Sequence, residues 1–147
     1  MRALIVALSL ALATPVIAQT ADEVSGSIET IFGDAKSFEA AFTSIQGAVR
    51  DRDAAAVAGW VEYPITVNPG TGDELVVENA EDFVAHYDDI VTDDVFSAVD
   101  GQAYGDLFVN ADGVMFGDGQ MWISGICQND ACSGFDIRII TIQSTAE

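Results

Sequence analysis

Between Phe108 and Ile142 short apolar runs alternate with turn residues, and a stretch written this way has to form antiparallel strands with one face needing cover. Tyr104 to Ile142 reads as four consecutive strands. Asp112-Gly113, between Phe108-Val109 and Val114-Met115-Phe116, is a hairpin signal, and Gly117-Asp118-Gly119 is a second turn ahead of Gln120-Met121-Trp122-Ile123. A loop bounded by Cys127 and Cys132 follows. The last strand ends Arg138-Ile139-Ile140-Thr141-Ile142.

Most of the preceding chain reads as helices that can cover such a sheet. Val24, Ile28, Ile31 and Phe32 have helical spacing up to Gly33. Asp34 can cap a longer helix whose apolar positions, Phe38, Ala41, Phe42, Ile45, Ala48 and Val49, step by three and four. Asp53 caps a short third helix, Ala54 to Ala58, that stops at Gly59. Val61, Tyr63, Ile65 and Val67 then share one side of a strand, and Pro64, lacking an amide hydrogen, puts that strand at an edge or a bend. Leu75-Val76-Val77 is a second short strand. Asn79 opens a helix carrying Phe83, Val84, Tyr87, Ile90 and Val91, and Asp93 to Val99 continues the helical layer.

Arg2, the apolar run from Ala3 to Ala13, and Val16 and Ala18 ahead of Gln19 are the parts of a secretory signal peptide, cleaved after Ala18. Residues 19–147 are then one domain, periplasmic or secreted, with no membrane insertion after cleavage. In that compartment Cys127 and Cys132 are expected to form a disulfide that pins a local hairpin. Two cysteines and one histidine do not make a zinc site, and no metal or other cofactor is expected. The 24 acidic residues stand against 5 Lys plus Arg, a formal net charge of -19. Such a field repels phosphates and excludes nucleic acid as a partner. The acids are scattered, which fits either a solvated surface or a face for a cationic partner.

The order of elements resembles the nuclear transport factor 2-like (SnoaL-like) superfamily. Ala48 to Ala58 looks like that superfamily's first-to-second helix junction, and Gly119-Gln120-Met121-Trp122-Ile123 like its Gly-x-x-Trp strand entry. The resemblance covers roughly residues 36 to 142 and rests on element order more than on a diagnostic motif. It implies an α+β cone, with N-terminal helices packed on a curved, mainly antiparallel sheet around a pocket. It also implies a homodimer through the outer sheet face. Members include enzymes, binding domains and non-enzymatic partners, so function does not follow from fold.

With a cone in view, Tyr63, Trp122 and Arg138 become candidate ligand-binding residues, and His86 and Asp136 candidate acid/base groups. Asp136 and Arg138 lie two apart on one strand face that Ile140 and Ile142 continue. They form part of the Asp-Arg-Asp arrangement of the superfamily's epoxide hydrolases, or an ordinary surface pair. His86 is the one imidazole in the chain and so the default general-base candidate, yet it sits at the border of its helix's apolar arc beside Asp82 and Asp89. Tyr63 and Trp122 line a pocket or fill the core. The chain has no nucleophile elbow, Walker loop, dinucleotide fingerprint or His-Glu-x-x-His.

Three functions compete on this reading. The first is binding of a small apolar or weakly anionic molecule in the cone. The second is an interaction or inhibitor protein presenting the Cys127–Cys132 loop to a cationic protein; the loop locally resembles the protruding loop of the Ivy-type lysozyme inhibitors, without the His that family places there. The third is a small isomerase, lyase or hydrolase using His86 or Asp136.

Overall fold

The computed structural model describes residues 19–144, and the expected signal peptide lies outside them. The fold is α+β. Helix α1, Ala21–Phe32, begins with a reciprocal cap: the Glu23 amide donates to the Thr20 hydroxyl, and the Glu23 carboxylate accepts the Thr20 amide at 2.7 Å. Gly33 ends it in the left-handed conformation at φ +79°, which a residue without Cβ adopts freely. Helix α2, Ala35–Arg50, follows at once, capped by Asp34, and turns Phe38, Ala41, Phe42, Ile45 and Val49 into the core. Asp53 caps α3, Ala54–Ala58, by accepting the Ala56 amide at 3.0 Å.

The strand expected from Val61 to Val67 is shorter. A cis Tyr63-Pro64 bond interrupts it, leaving β1 as Ile65–Val67, which pairs with β2, Leu75–Val77. The helix expected after Asn79 is broken at His86 into α4, Ala80–Ala85, and α5, Tyr87–Ile90. Phe83, Tyr87 and Ile90 all remain buried despite the break. Helix α6, Asp93–Gly101, is capped by Thr92 and leads into a 3₁₀ turn, Tyr104–Asp106, so Tyr104 is not the first strand residue.

The four-stranded meander is as expected in order: β3, Phe108–Asn110; β4, Gly113–Phe116; β5, Met121–Cys127; β6, Phe135–Ile142. The first turn falls at Ala111-Asp112, one residue before the expected Asp112-Gly113, because the Asn110 side-chain oxygen accepts the amides of Asp112 and Gly113 and Gly113 is already paired with Asn110, where any Cβ would run into the Ile123 carbonyl oxygen. β6 also bonds to the other part of the chain. Its Ile139 amide donates to the Trp60 carbonyl at 2.7 Å, and its carbonyl accepts the Glu62 amide at 2.9 Å, while Asn68 donates to Ile142. The six strands are thereby mostly antiparallel and do not close.

A bulge in β6 decides which residues face in. Ile123 pairs with Ile139 and Trp122 with Thr141, so Ile140 has no partner on β5 and the inward set shifts from Ile137 and Ile139 to Ile142. Ile142 is fully buried and does not continue the Asp136/Arg138 face, contrary to the strict alternation read from sequence. Inside, Phe42 stacks on Phe116 with ring centres 5.3 Å apart, and Phe38 meets Phe32 at 4.8 Å and Phe135 at 6.1 Å. Side chains fill the space between the helical layer and the sheet.

Two substitutions test this packing. A Cβ at Gly125 would stand 2.8 Å from the Phe135 ring, so Gly125→Ala should cost about 1–3 kcal/mol in denaturant unfolding. The Tyr87 hydroxyl is buried with no hydrogen-bond partner among the described residues. Tyr87→Phe removes that unpaired group and should raise stability by about 1 kcal/mol.

Candidate functional site

The sequence candidates do not converge on one interior pocket. His86 lies exposed where α4 meets α5, its Nδ1 2.9 Å from the Asp82 carbonyl. Among the described residues no group of three or more His, Cys, Asp or Glu is arranged to hold a metal ion. Trp122 points to the outer face of the meander. It lies edge-on to half-exposed Phe108 at 6.2 Å, in a cross-strand row with Met115 and Thr141.

Asp136 and Arg138 do meet, and Arg138 and Tyr63 each bond a carbonyl of the turn between α3 and β1. Each polar group there already has a partner. The Tyr63 hydroxyl donates to the Ala58 carbonyl at 3.0 Å, and Arg138 donates to the Gly59 carbonyl at 2.9 Å. The Gly59 carbonyl has no other partner among the described residues, and the Ala58 carbonyl also accepts the Val61 amide at 3.3 Å. Arg138 also lies 3.6 Å from Asp136, whose other oxygen accepts a hydrogen bond from Gln128 at 3.0 Å. With one side half exposed to water, this ion pair stabilises little by itself. Partial burial pushes the Tyr63 phenol up to about 12, which suits a structural donor and not a base working near neutrality.

Beside this turn a cleft of about 260 Å³ opens between α2 and the first half of β6. One wall is the small-residue side of α2, namely Ser37, Ala40, Ala41 and Ser44; Phe135, Asp136 and Ile137 form the other, and half-buried Trp60 closes one end. Asp34 stands at the mouth. The Ser37 hydroxyl, at 2.6 Å, and then the Ser37 amide hold its carboxyl below the ordinary carboxylate range, so it stays charged. Sequence reading missed this cleft, because β6 is remote in the chain from Trp60 and α2, and the Trp60–Ile139 pairing and the Phe38–Phe135 contact bring them together.

The Cys127–Cys132 loop continues from the same end of β6. The disulfide is formed, with Cα atoms 4.8 Å apart, and every residue from Cys127 to Ser133 is exposed. Inside the loop the Asn129 side chain donates to the Ser133 hydroxyl at 2.7 Å and its backbone carbonyl accepts the Cys132 amide at 2.9 Å. No family model, curated protein or solved structure matches the chain.

The Tyr63 environment sets a pH limit. A phenol whose folded pKa is raised favours the folded state fully below its unfolded value of about 10, and that contribution is lost as pH rises through about 12. Spectrophotometric titration of the tyrosinates should show a late step near pH 12 that Tyr63→Phe removes. The same variant should lose about 1 kcal/mol at neutral pH with the Ala58 bond.

Proposed function

We propose that the chain is an exported interaction module on a nuclear transport factor 2-like scaffold, binding a cationic protein through its disulfide-closed tip and the surface beside it. The order of three helices, a strand pair, further helices and an antiparallel meander supports the scaffold. The observation that carries the interaction is the tip itself. Seven consecutive exposed residues are held by a covalent bridge and by internal hydrogen bonds, so little conformational freedom is left to lose on binding.

Charge supplies the chemistry of the partner. Each arginine among the described residues lies against an acid: Arg50 against Asp100, Arg52 against Asp93, Arg138 against Asp136. The large acidic excess remains to steer a basic protein inward. A small molecule between the helices and the sheet ranks second, since Phe42 and Phe116 already stack there. His86 and Asp136 lack the companion groups that acid/base chemistry requires, so turnover ranks third.

A photocrosslinking side chain at Asn129, with Val84 on the helical layer as control, tests the proposal in the host's exported fraction. Position 129 should capture a protein of basic pI and position 84 should not. Asp130, the one charged residue in the loop, should lower the association rate about three- to tenfold at low salt when changed to Lys, with little effect at high salt. Capture of acidic proteins, or an unchanged rate in Asp130→Lys, would sink the assignment.

A further inference from the structure

The first half of β6 is a sheet edge that the described residues leave unpaired. Ile139 bonds away from β5, to Trp60 and Glu62, which fixes the direction of its neighbours by parity. Ser124 faces Arg138 and Ile126 faces Asp136 as the pairs that exchange hydrogen bonds with β5, and Gln128 donates to Gly134 in the same phase. The amides and carbonyls of Ile137 and Phe135 therefore point away from β5. Among the described residues they have no partner, and the cleft against α2 is lined by these same two residues.

The segment that pairs with Ile139 cannot fill it. Going back from Trp60 the chain turns at Gly59 into α3, and Arg138 takes the Gly59 carbonyl. The open row begins immediately beyond. Its other wall is built of Ser37, Ala40, Ala41 and Ser44, side chains short enough to let a backbone lie alongside.

We infer that this cleft is a strand-addition site, in which an extended basic segment of the partner protein pairs with the backbone of Phe135 and Ile137 and lies against Trp60. The inference rests on the interaction reading above and names the partner's contact. Main-chain bonds supply the pairing, and pockets on alternate sides of the added strand supply selectivity. An unpaired edge attracts such pairing wherever it is reachable. Asp34, which lines the cleft, favours Lys or Arg on the incoming segment. The row of two inward residues accommodates about three residues of extended chain, about 10 Å. The disulfide tip begins just before Phe135, so tip and cleft form one continuous contact.

The test is an NMR titration of the full chain, disulfide intact, with the capped peptide acetyl-Val-Lys-Val-Lys-Val-amide. A second peptide carries an N-methyl group on its central valine and a third on the adjacent lysine, so that one of the two blocks whichever face pairs. Saturable shifts centred on Phe135 and Ile137 are expected, with hydrogen exchange of the Ile137 amide slowed at least tenfold. One of the two N-methylated peptides and the cleft-filling variant Ala40→Trp should each weaken binding at least tenfold; Ala40 is exposed on α2, so folding is not at stake. Shifts scattered over the acidic surface, unaffected by N-methylation or by Ala40→Trp, would overturn strand addition and leave the electrostatic interaction reading standing. Absence of shifts at 2 mM peptide, on the order of the weakest useful affinity, would overturn it as well. The crosslink at Asn129 judges the interaction reading separately: an adduct that survives Ala40→Trp removes the cleft, and a missing adduct removes the reading.

Discussion

Two backbone hydrogen bonds at Ile139 tie the fold together. Its side chain is fully buried against the helices, its strand pairs with β5 on one edge, and its amide and carbonyl hold Trp60 and Glu62 on the other. Through those bonds the chain from α3 to β2 becomes part of the same body as the meander. The α3 turn, the hairpin of β1 and β2, and the cleft that Trp60 closes all take their positions from this contact. Arg138 and Tyr63 reinforce it by occupying the carbonyls at the end of α3.

Local rules were enough to read much of the architecture. The caps at Asp34, Asp53 and Asn79 and the stop at Gly33 all act within four residues, and the structure has each where the chain predicts it, while the first hairpin turns one residue earlier than Asp112-Gly113. The departures come from interactions that spacing does not encode. Nothing in Phe83 to Val91 marks His86 as a break, since the apolar arc runs through it unchanged. The β6 bulge depends on how Trp122 and Ile123 register against Thr141 and Ile139, a match between two strands that neither strand states alone. The cleft depends on a pairing across almost eighty positions.

The candidate residues divide by the same logic. Asp136 and Arg138 were legible as a pair because residues two apart on a strand share a face, and they do meet. Their surroundings were not legible, because the Gly59 carbonyl that occupies Arg138 arrives from a distant turn. Cys127 and Cys132 were readable from compartment and spacing, and their bridge is formed. Polar groups that sequence offered to a ligand are therefore spent on the fold, while the groups left free are backbone atoms that no residue type announces.

Ile140, without a partner on β5, gives β6 a change of parity partway along. Before it, odd-numbered positions belong to the interior and even-numbered ones to water; after it, Ile142 is interior and Thr141 is not. Variation among descendants of this sequence should carry that mark as a phase slip, with polar exchange tolerated at 136, 138 and 141 and resisted at 137, 139 and 142. Loss or gain of a single residue on either side of the slip would put a whole half-strand on the wrong face, so the length of this segment is under tighter constraint than its composition.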